Sequence, residues 1–378
     1  MVLGIRLQLL IGPFLPSPAP SYLIQAIKSL EVTNSDGGRD GFQITFTTGK
    51  SKFYSSSTND YSLNTNNALL KPFNRVIIRL SIGALSRVLI DGFITHHQFN
   101  PSNDPGKSTF TITGEDYSLI MDMHEIPWSY PNQTDYLIVT QILLRNGIIP
   151  VVIPPFLQSV PLFTEKIPTQ TSTDLKYIQE LASKYNYIFY IEPTDTTGMN
   201  KGYWGPSIPT GVAQKPITFN MGSQTNTSSA PSFQYNALEP LIVAGVVQDR
   251  RLNVPLPVVA FAPLPPFLAS SPAWLANLPN VRNKLFRASK DQDVLEAYIQ
   301  AVSEVDKSKD VVLVSGEIDT LRYGDVLRAR KLVNLRGVGN TYDGSYYVKS
   351  VTTKIQPGSC KHSFSLSREG TGPLSQFV

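Results

Sequence analysis

Across 378 residues there is a single cysteine, Cys360. An internal disulfide and any site built from several thiolates are thereby excluded, and a reducing cytoplasm is a compatible place to fold. Charge is scarce as well. Asp, Glu, Lys and Arg make up 16% of the chain, against roughly 25% in ordinary soluble domains, so Ser, Thr, Asn and Gln must cover much of the surface. A weakly charged polar surface suits broad, permanent protein contacts; a secreted β-protein with a Ser/Thr/Asn surface fits the same composition. The net charge is only +4, and the lysines and arginines are scattered. With no basic run to neutralise a phosphate backbone, nucleic-acid binding is not expected.

Catalytic signatures are also missing. There is no G-x-S-x-G elbow and no G-x-x-x-x-G-K-[ST] loop, which removes the serine-hydrolase and phosphate-cradle readings. His96 and His97 are adjacent on an expected strand, so their side chains point to opposite faces and do not converge on a metal. Glu115 and Asp116 open an expected helix, YSLIMDM, where carboxylates suit the positive N-terminus. A glycosidase would need a second carboxylate at a defined distance. His124-Glu125 lacks the second histidine of a zinc-protease helix. Cys360, with Lys361 and His362 just before a strand, reads as a structural thiol. We therefore expect no catalytic residue, no metal and no cofactor; the chain is read as not an enzyme. The rival is a cell-wall-degrading hydrolase.

Two segments imitate membrane signals. The start, MVLGIRLQLLIGPFLPSPAP, has one arginine, an apolar run and then small residues. Gly12, Pro13 and Pro16 interrupt the run, however, and no convincing cleavage site follows. Residues 252–281 are uncharged and long enough to cross a bilayer, but they contain Pro255, Pro257, Pro263, Pro265, Pro266, Pro272 and Pro279. A lipid-exposed helix could not satisfy that backbone. The stretch is read as an extended arm or wrap on protein, without membrane insertion.

What is present is strand alternation. In GFQITFT, Phe42, Ile44 and Phe46 share one face while Gln43, Thr45 and Thr47 share the other. Val76, Ile78, Leu80 and Ile82 alternate in the same way, as do Phe110 and Ile112 among Thr109, Thr111 and Thr113. Each predicts a half-buried antiparallel strand. Helices are few. Thr134 is placed to cap one starting at Asp135 and stopping at Asn146-Gly147. Thr173 is placed to cap another carrying Leu175, Ile178, Leu181, Ala182 and Tyr185, with the strand YIFYIE after it. Ser289 and Gln292 have capping-box spacing ahead of the stripe Val294, Leu295, Tyr298, Ile299 and Val302.

An internal echo is the most informative feature. Asp91-Gly92 is followed fourteen positions later by Pro105-Gly106 and the strand STFTITG; Asp343-Gly344 is followed fourteen positions later by Pro357-Gly358 and the strand HSFSLSR. Each copy reads as turn, strand, turn, strand. Two copies about 250 residues apart suggest two similar β-domains with material inserted between them; chance likeness of β-hairpins is the other reading. Trp204 in GYWGP and Trp274 in SPAWLANLP are candidate exposed anchors at an interface. Trp204 equally suits a cap on the small helix-strand unit.

With those segments in view, the chain resembles the phage late control protein D family. This family covers baseplate hubs of contractile phage tails, the hub portion of type VI secretion spikes, and extracellular contractile injection systems. The resemblance runs over nearly the whole chain. It lies in the order and spacing of LQLLIGPFLPSPAP, SLEVTNSDGGRDGFQITF, LIDGFITHHQFNPSNDPGKSTFTITGEDYSLIMD, STDLKYIQELASKYNYIFYIEP with WGP after it, GVGNTYDGSYYVKSVTTKI and FSLSREG. The N-terminal piece is most similar to the extracellular branch.

The resemblance implies a mainly β (α+β) fold with two tail-tube-like β-barrels and small α/β insertions, assembled as a homotrimer. The expected divisions are an arm at 1–30, a first barrel at 31–134 and an α/β middle at 135–229. A second barrel is expected at 230–250 plus 310–370, a proline-rich wrap and helix at 251–309, and a tail at 371–378. Three subunits with two barrels each would present six tube-like domains with true three-fold symmetry, which would adapt a six-fold tube to a three-fold spike. The implied partners are the inner tube protein, a separate spike protein and other baseplate components. The implied setting is assembly in the bacterial cytoplasm into a phage tail or injection particle. In type VI relatives the hub continues into an OB-like domain and a needle, and the tail EGTGPLSQFV has no room for either. Leu374, Phe377 and Val378 are therefore candidate contacts with the spike; a frayed terminus is the plainer reading. A secreted β-rich adhesin is the remaining alternative.

Overall fold

The computed structural model describes residues 4–13, 15–49, 61–64, 67–104, 106–156, 167–194, 196, 198–207, 211–248, 254–287 and 294–374. The mainly β class is what the structure has. A first unit is built from β1 (Ile5–Gly12), β2 (Ile27–Ser35), β3 (Gly41–Thr47), β4 (Arg75–Ile82), β5 (Leu85–Asn100) and β6 (Thr109–Asp116), hydrogen-bonded in the order β2-β3-β6-β5-β4-β1. The alternation works as expected. Phe42, Ile44, Phe46, Phe110 and Ile112 are buried in one core with Val76, Ile78 and Leu80, each contributing about 1.5–3 kcal/mol by leaving water.

An α/β unit follows, made of α1 (Asp135–Arg145), β7 (Ile149–Val152), α2 (Asp174–Lys184), β8 (Tyr187–Pro193) and β9 (Asn200–Pro206). Its sheet runs β8-β9-β7, with β9 antiparallel to β8 and parallel to β7. Both helices start where the caps were expected. The Thr173 hydroxyl accepts from the Lys176 amide at 3.3 Å, whereas Thr134 occupies its cap position without a side-chain bond. Gly147 stops α1 in the left-handed region, at φ +70°.

The rest of the chain adds β10 (Gln214–Thr218), β11 (Ser232–Tyr235), β12 (Leu241–Gln248), β13 (Pro255–Ala260), β14 (Ala269–Pro272), β15 (Arg282–Leu285), α3 (Val294–Lys307), β16 (Val312–Asp319), β17 (Leu332–Arg336), β18 (Gly344–Gln356), β19 (Ser359–Arg368) and β20 (Gly370–Pro373). A second β unit runs β11-β16-β19-β18, with β17 on the N-terminal half of β18 and β10 beside β17. Its own core holds Val314, Ile318, Leu335, Tyr346, Phe364 and Leu366. The two units share a packing detail. Phe42 lies against Gly114 of the paired strand, and Phe364 against Gly316; a Cβ at either glycine would sit 2.3 or 2.6 Å from the ring.

Two tail-tube-like β-barrels were expected, and the sheets are not closed barrels. The two echoed regions are joined into one continuous open sheet, because β18 gives its C-terminal half (Ser350 to Ile355) to β2. A bulge between Val348 and Ser350 marks the passage from β17 to β2. The physical reason is edge satisfaction: each unit alone would leave a row of unpaired N–H and C=O groups, and the two rows pair with each other. Asp91-Gly92 is also not a turn. Both residues lie inside β5, where Asp91 is bonded by Arg75 of β4 and a Cβ at Gly92 would fall 2.0 Å from the Glu115 carbonyl oxygen. This Asp-Gly pair therefore serves a close approach of strands, not a reversal. The second copy behaves as expected: Asp343 closes a turn, and Gly358 and its counterpart Gly106 take φ of +79° and +75°. Pro105 lies outside the described residues.

The proline-rich stretch forms strands of the chain's own sheets. β13 pairs with β12, and β14 pairs with β20. Leu241–Gln248 joins β13 and β15 in a separate sheet, not the strands at 312–368. The helix α3 is held from two sides. Ala297, Ala301 and Val305 pack on that sheet, while Ile299 enters the α/β core. Tyr298, expected on the buried stripe, is 40% exposed, because two partners, not one, define the buried faces. The capping-box pair Ser289 and Gln292 lies outside the described residues.

Candidate functional site at the three-unit junction

A chain with few charges places several of them where its three units meet. Arg330, in the segment entering β17, is buried and donates through Nη1 and Nη2 to Asp40 at 2.9 and 2.5 Å, and also to the Ser35 carbonyl at 2.5 Å. Asp40 precedes β3 and further accepts from Asn34 Nδ2 at 2.8 Å and the Ser35 amide at 3.0 Å. The guanidinium lies 4.1 Å from the ring centre of Tyr190 on β8, and Tyr190 stacks on Tyr203 at 5.0 Å. One arginine thus ties the second β unit to the first and to the α/β unit. Arg330 adopts φ +63°, a left-handed conformation that costs a non-glycine residue about 1 kcal/mol or more. The surrounding bonds over-determine it.

Asp116 adds a second buried carboxyl. Its Oδ2 accepts from the Asp40 amide at 3.2 Å, and its Oδ1 caps the following 3-10 turn at the Ser118 amide, 2.9 Å, and the Ser118 hydroxyl. Burial, and next the Asp40 carboxylate, push Asp116 up to about 6. The expectation that acid residues here serve a helix start holds for Asp116; Glu115 pairs with Arg39 at 2.5 Å. Nearby, Arg75 Nε and Nη2 clamp Asp91 at 2.7 and 2.6 Å, and Arg75 Nη2 reaches the Gly198 carbonyl at 3.2 Å. Asn200 Nδ2 also donates to Asp91 at 3.3 Å, binding β9 to β5. Charge-assisted and bidentate, these are the strong kind of hydrogen bond, and losing one partner strands a buried charge.

The expected site residues fall elsewhere. Trp204 is fully buried in the α/β core, edge-on to Tyr187 at 4.8 Å and Tyr185 at 5.9 Å, so the packing reading is the one realised and its ring is no surface anchor. Trp274 is half-buried beside Phe267, 6.1 Å away, on the helical turn that follows β14. Leu374 is 62% exposed just after β20; Phe377 and Val378 lie outside the described residues. His96 and His97 do face apart: His96 is exposed, and His97 Nε2 bonds the Leu70 carbonyl at 2.5 Å. His124 and Glu125 are exposed on a loop. Cys360 is buried, receives the Thr320 hydroxyl at 3.2 Å, and is pushed up by burial, the opposite of an activated thiolate. Sequence reasoning missed Arg330, Asp40, Arg75 and Asp91. Partners 290 positions apart carry no local signature, and the one available hint was the rarity of charge itself.

No family model matches the sequence, and no curated protein matches it. Solved structures do. The 43 kDa tail protein of prophage MuSo2 from Shewanella oneidensis is 13% identical, with a TM-score of 0.63 over 97% of this chain and 99% of that one. A tail protein from Neisseria meningitidis MC58 is 9% identical, with a TM-score of 0.62 over 98% of both chains. The E. coli c3393 protein, a type VI secretion component described as structurally similar to T4 tail proteins gp27 and gp5, is 11% identical. Its TM-score is 0.53 over 93% of this chain and 74% of that one. From end to end, then, this chain has the fold of phage tail proteins, and that fold recurs in a type VI secretion component.

Proposed function

We propose that the chain is a structural baseplate hub of a phage tail or contractile injection particle, a homotrimer adapting a six-fold inner tube to a three-fold spike. The observation carrying this reading is the presence of two β units in one polypeptide, seamed through β2 and β18. Three such chains present six related units around one axis. The likeness to phage tail proteins along almost the whole chain supports it. So do the exposed apolar residues of the β12–β13–β15 sheet, Val246, Val259 and Leu285, which suit coverage in an assembly. The inner tube protein, a separate spike protein and other baseplate proteins are the partners on this reading, and assembly takes place in the bacterial cytoplasm. Trp274, Leu374, Phe377 and Val378 are the proposed contact residues; Trp204 leaves the set because its ring is buried. No residue is assigned catalysis and no cofactor is invoked.

The test is native mass spectrometry of the chain co-expressed with the tube and spike proteins of the same gene cluster. Three copies per complex are expected, with spike capture weakened when residues 374–378 are removed. One or six copies would refute the adaptor.

A further inference from the structure

At the outer rim of the junction, cations from all three units crowd around too few carboxylates. Arg87 comes from β5, Lys201 from β9, and Arg328 and Lys331 from the segment entering β17. Glu192, directly across the β8–β9 pair from Lys201, receives Arg328 Nη1 at 3.1 Å and Lys331 Nζ at 3.8 Å, both on the same oxygen, Oε1. Asp325 takes Arg87 Nε at 3.5 Å and the Val326 amide at 2.8 Å. Among the described residues this sets four positive groups against two negative ones, while Arg330 and Asp40 neutralise each other behind them. Lys331 feels the imbalance: burial first, and then Arg328, Arg87 and Lys201 against the pull of Glu192, hold it below the ordinary lysine range.

Arg87, Arg328 and Lys331 keep 32%, 27% and 39% of their side-chain surface open, so solutes reach them. Beside them is a cavity of about 40 Å³ lined by Arg328 and Arg330, by Tyr190 and by the carboxylates Asp40 and Glu192; Lys331 stands outside it, at the rim. A few waters or one small oxyanion fill such a space; a sugar or nucleobase does not fit. Arg330 is buried, and its Nε–H has no acceptor among the described residues. A buried donor without a partner is costly, and an anion seated here would supply one.

We propose that this rim is an oxyanion site, in which Arg328 and Lys331 bind a small carboxylate or phosphate group, delivered as a free ion or on an acidic side chain of a partner protein. It does not depend on the hub reading. Glu192 is the internal competitor for the same two cations.

The experiment uses the full chain. Thermal unfolding is followed in sodium phosphate and in sodium chloride at matched ionic strength, so that general screening cancels. A labelled glutamate-rich peptide is titrated in parallel by fluorescence anisotropy. Phosphate is expected to stabilise in proportion to the logarithm of one plus its concentration over its dissociation constant, favouring the folded state about 11-fold at ten times that constant. Arg328→Gln and Lys331→Gln should each weaken binding about tenfold, the worth of one charge-assisted hydrogen bond. Lys107→Gln, on the β5–β6 loop, should change nothing. Glu192→Gln should tighten binding, an outcome that damage to the fold cannot imitate. If phosphate and peptide both bind, the site takes oxyanions from either source; if the peptide alone binds, the carboxylate arrives on a polypeptide. Either result supports the site. Phosphate that acts like chloride together with no peptide binding, or affinities indifferent to Arg328, Lys331 and Glu192, would overturn it.

Discussion

Replacing Arg330 with methionine keeps the side chain long and removes its charge at the point where the two β units are seamed. The left-handed φ of +63° is equally awkward for either residue, so backbone strain cancels in the comparison. What remains is an Asp40 carboxylate, 2% exposed, with Asn34 Nδ2 and the Ser35 amide as its donors among the described residues and Asp116 beside it. Removing one partner from a buried pair costs about 3–5 kcal/mol. The loss should also depend on pH. Asp116 sits at about 6 against an ordinary 3.8. A raised carboxyl contributes stability that is fully present below 3.8 and lost as pH rises through about 6, a swing of about 3 kcal/mol. Without the guanidinium, protonating a carboxyl at the junction relieves an uncompensated charge, and the penalty shrinks toward acid. Hydrogen exchange is the suitable assay, because it reports opening of the seam itself. Amides of residues 30–35 and 350–355 should lose protection strongly at about pH 7.5 and much less at about pH 5. In Arg330→Met/Asp40→Asn the cost should fall short of the sum of the single changes. A loss below about 1 kcal/mol would mean that the seam holds without this pair, and a large loss equal at both pH values would refute its coupling to the junction carboxyls.

Gly92→Ala should destabilise the first β unit by several kcal/mol, since the new Cβ would meet the Glu115 carbonyl oxygen at 2.0 Å. Gly106→Ala has open space and should cost only the left-handed penalty, about 1 kcal/mol; equal melting temperatures for the two would contradict the close approach of β5 and β6. His362 is buried and held at about 4 against an ordinary 6.5 by desolvation. Its contribution is present above 6.5 and lost as pH falls through about 4, worth about 3 kcal/mol. His362→Gln should therefore flatten the acid side of the stability profile, and an imidazole resonance titrating near 6.5 in the native chain would refute its burial.

Much of the secondary structure was legible in short stretches. Phe42, Ile44 and Phe46 repeat every second residue, and only a strand puts such residues on one face. Thr173 stands three residues before the amide it caps, and Gly147 ends α1 because a left-handed residue is least costly as glycine. Cys360 read as structural because the neighbouring Lys361 and His362 carry no activating geometry in the sequence. These are local matters, decided by neighbours a few positions apart. The Asp91-Gly92 dipeptide shows the limit. As a pair it signals a turn, yet Arg75 from the next strand and the nearby Glu115 backbone keep it in β5. Trp204 likewise could sit on the surface or in a core until the two helices closed over it.

What the sequence by itself determined is therefore the kind of elements and their order along two β regions. Only the tertiary structure decided that those regions share one open sheet, that α3 is held from two sides, and that Arg330 meets Asp40. The reason is physical: periodicity and caps depend on residues within one or two turns. Pairing of β2 with β18 depends instead on which edges remain unpaired once every other strand has found a neighbour, and no single segment carries that information.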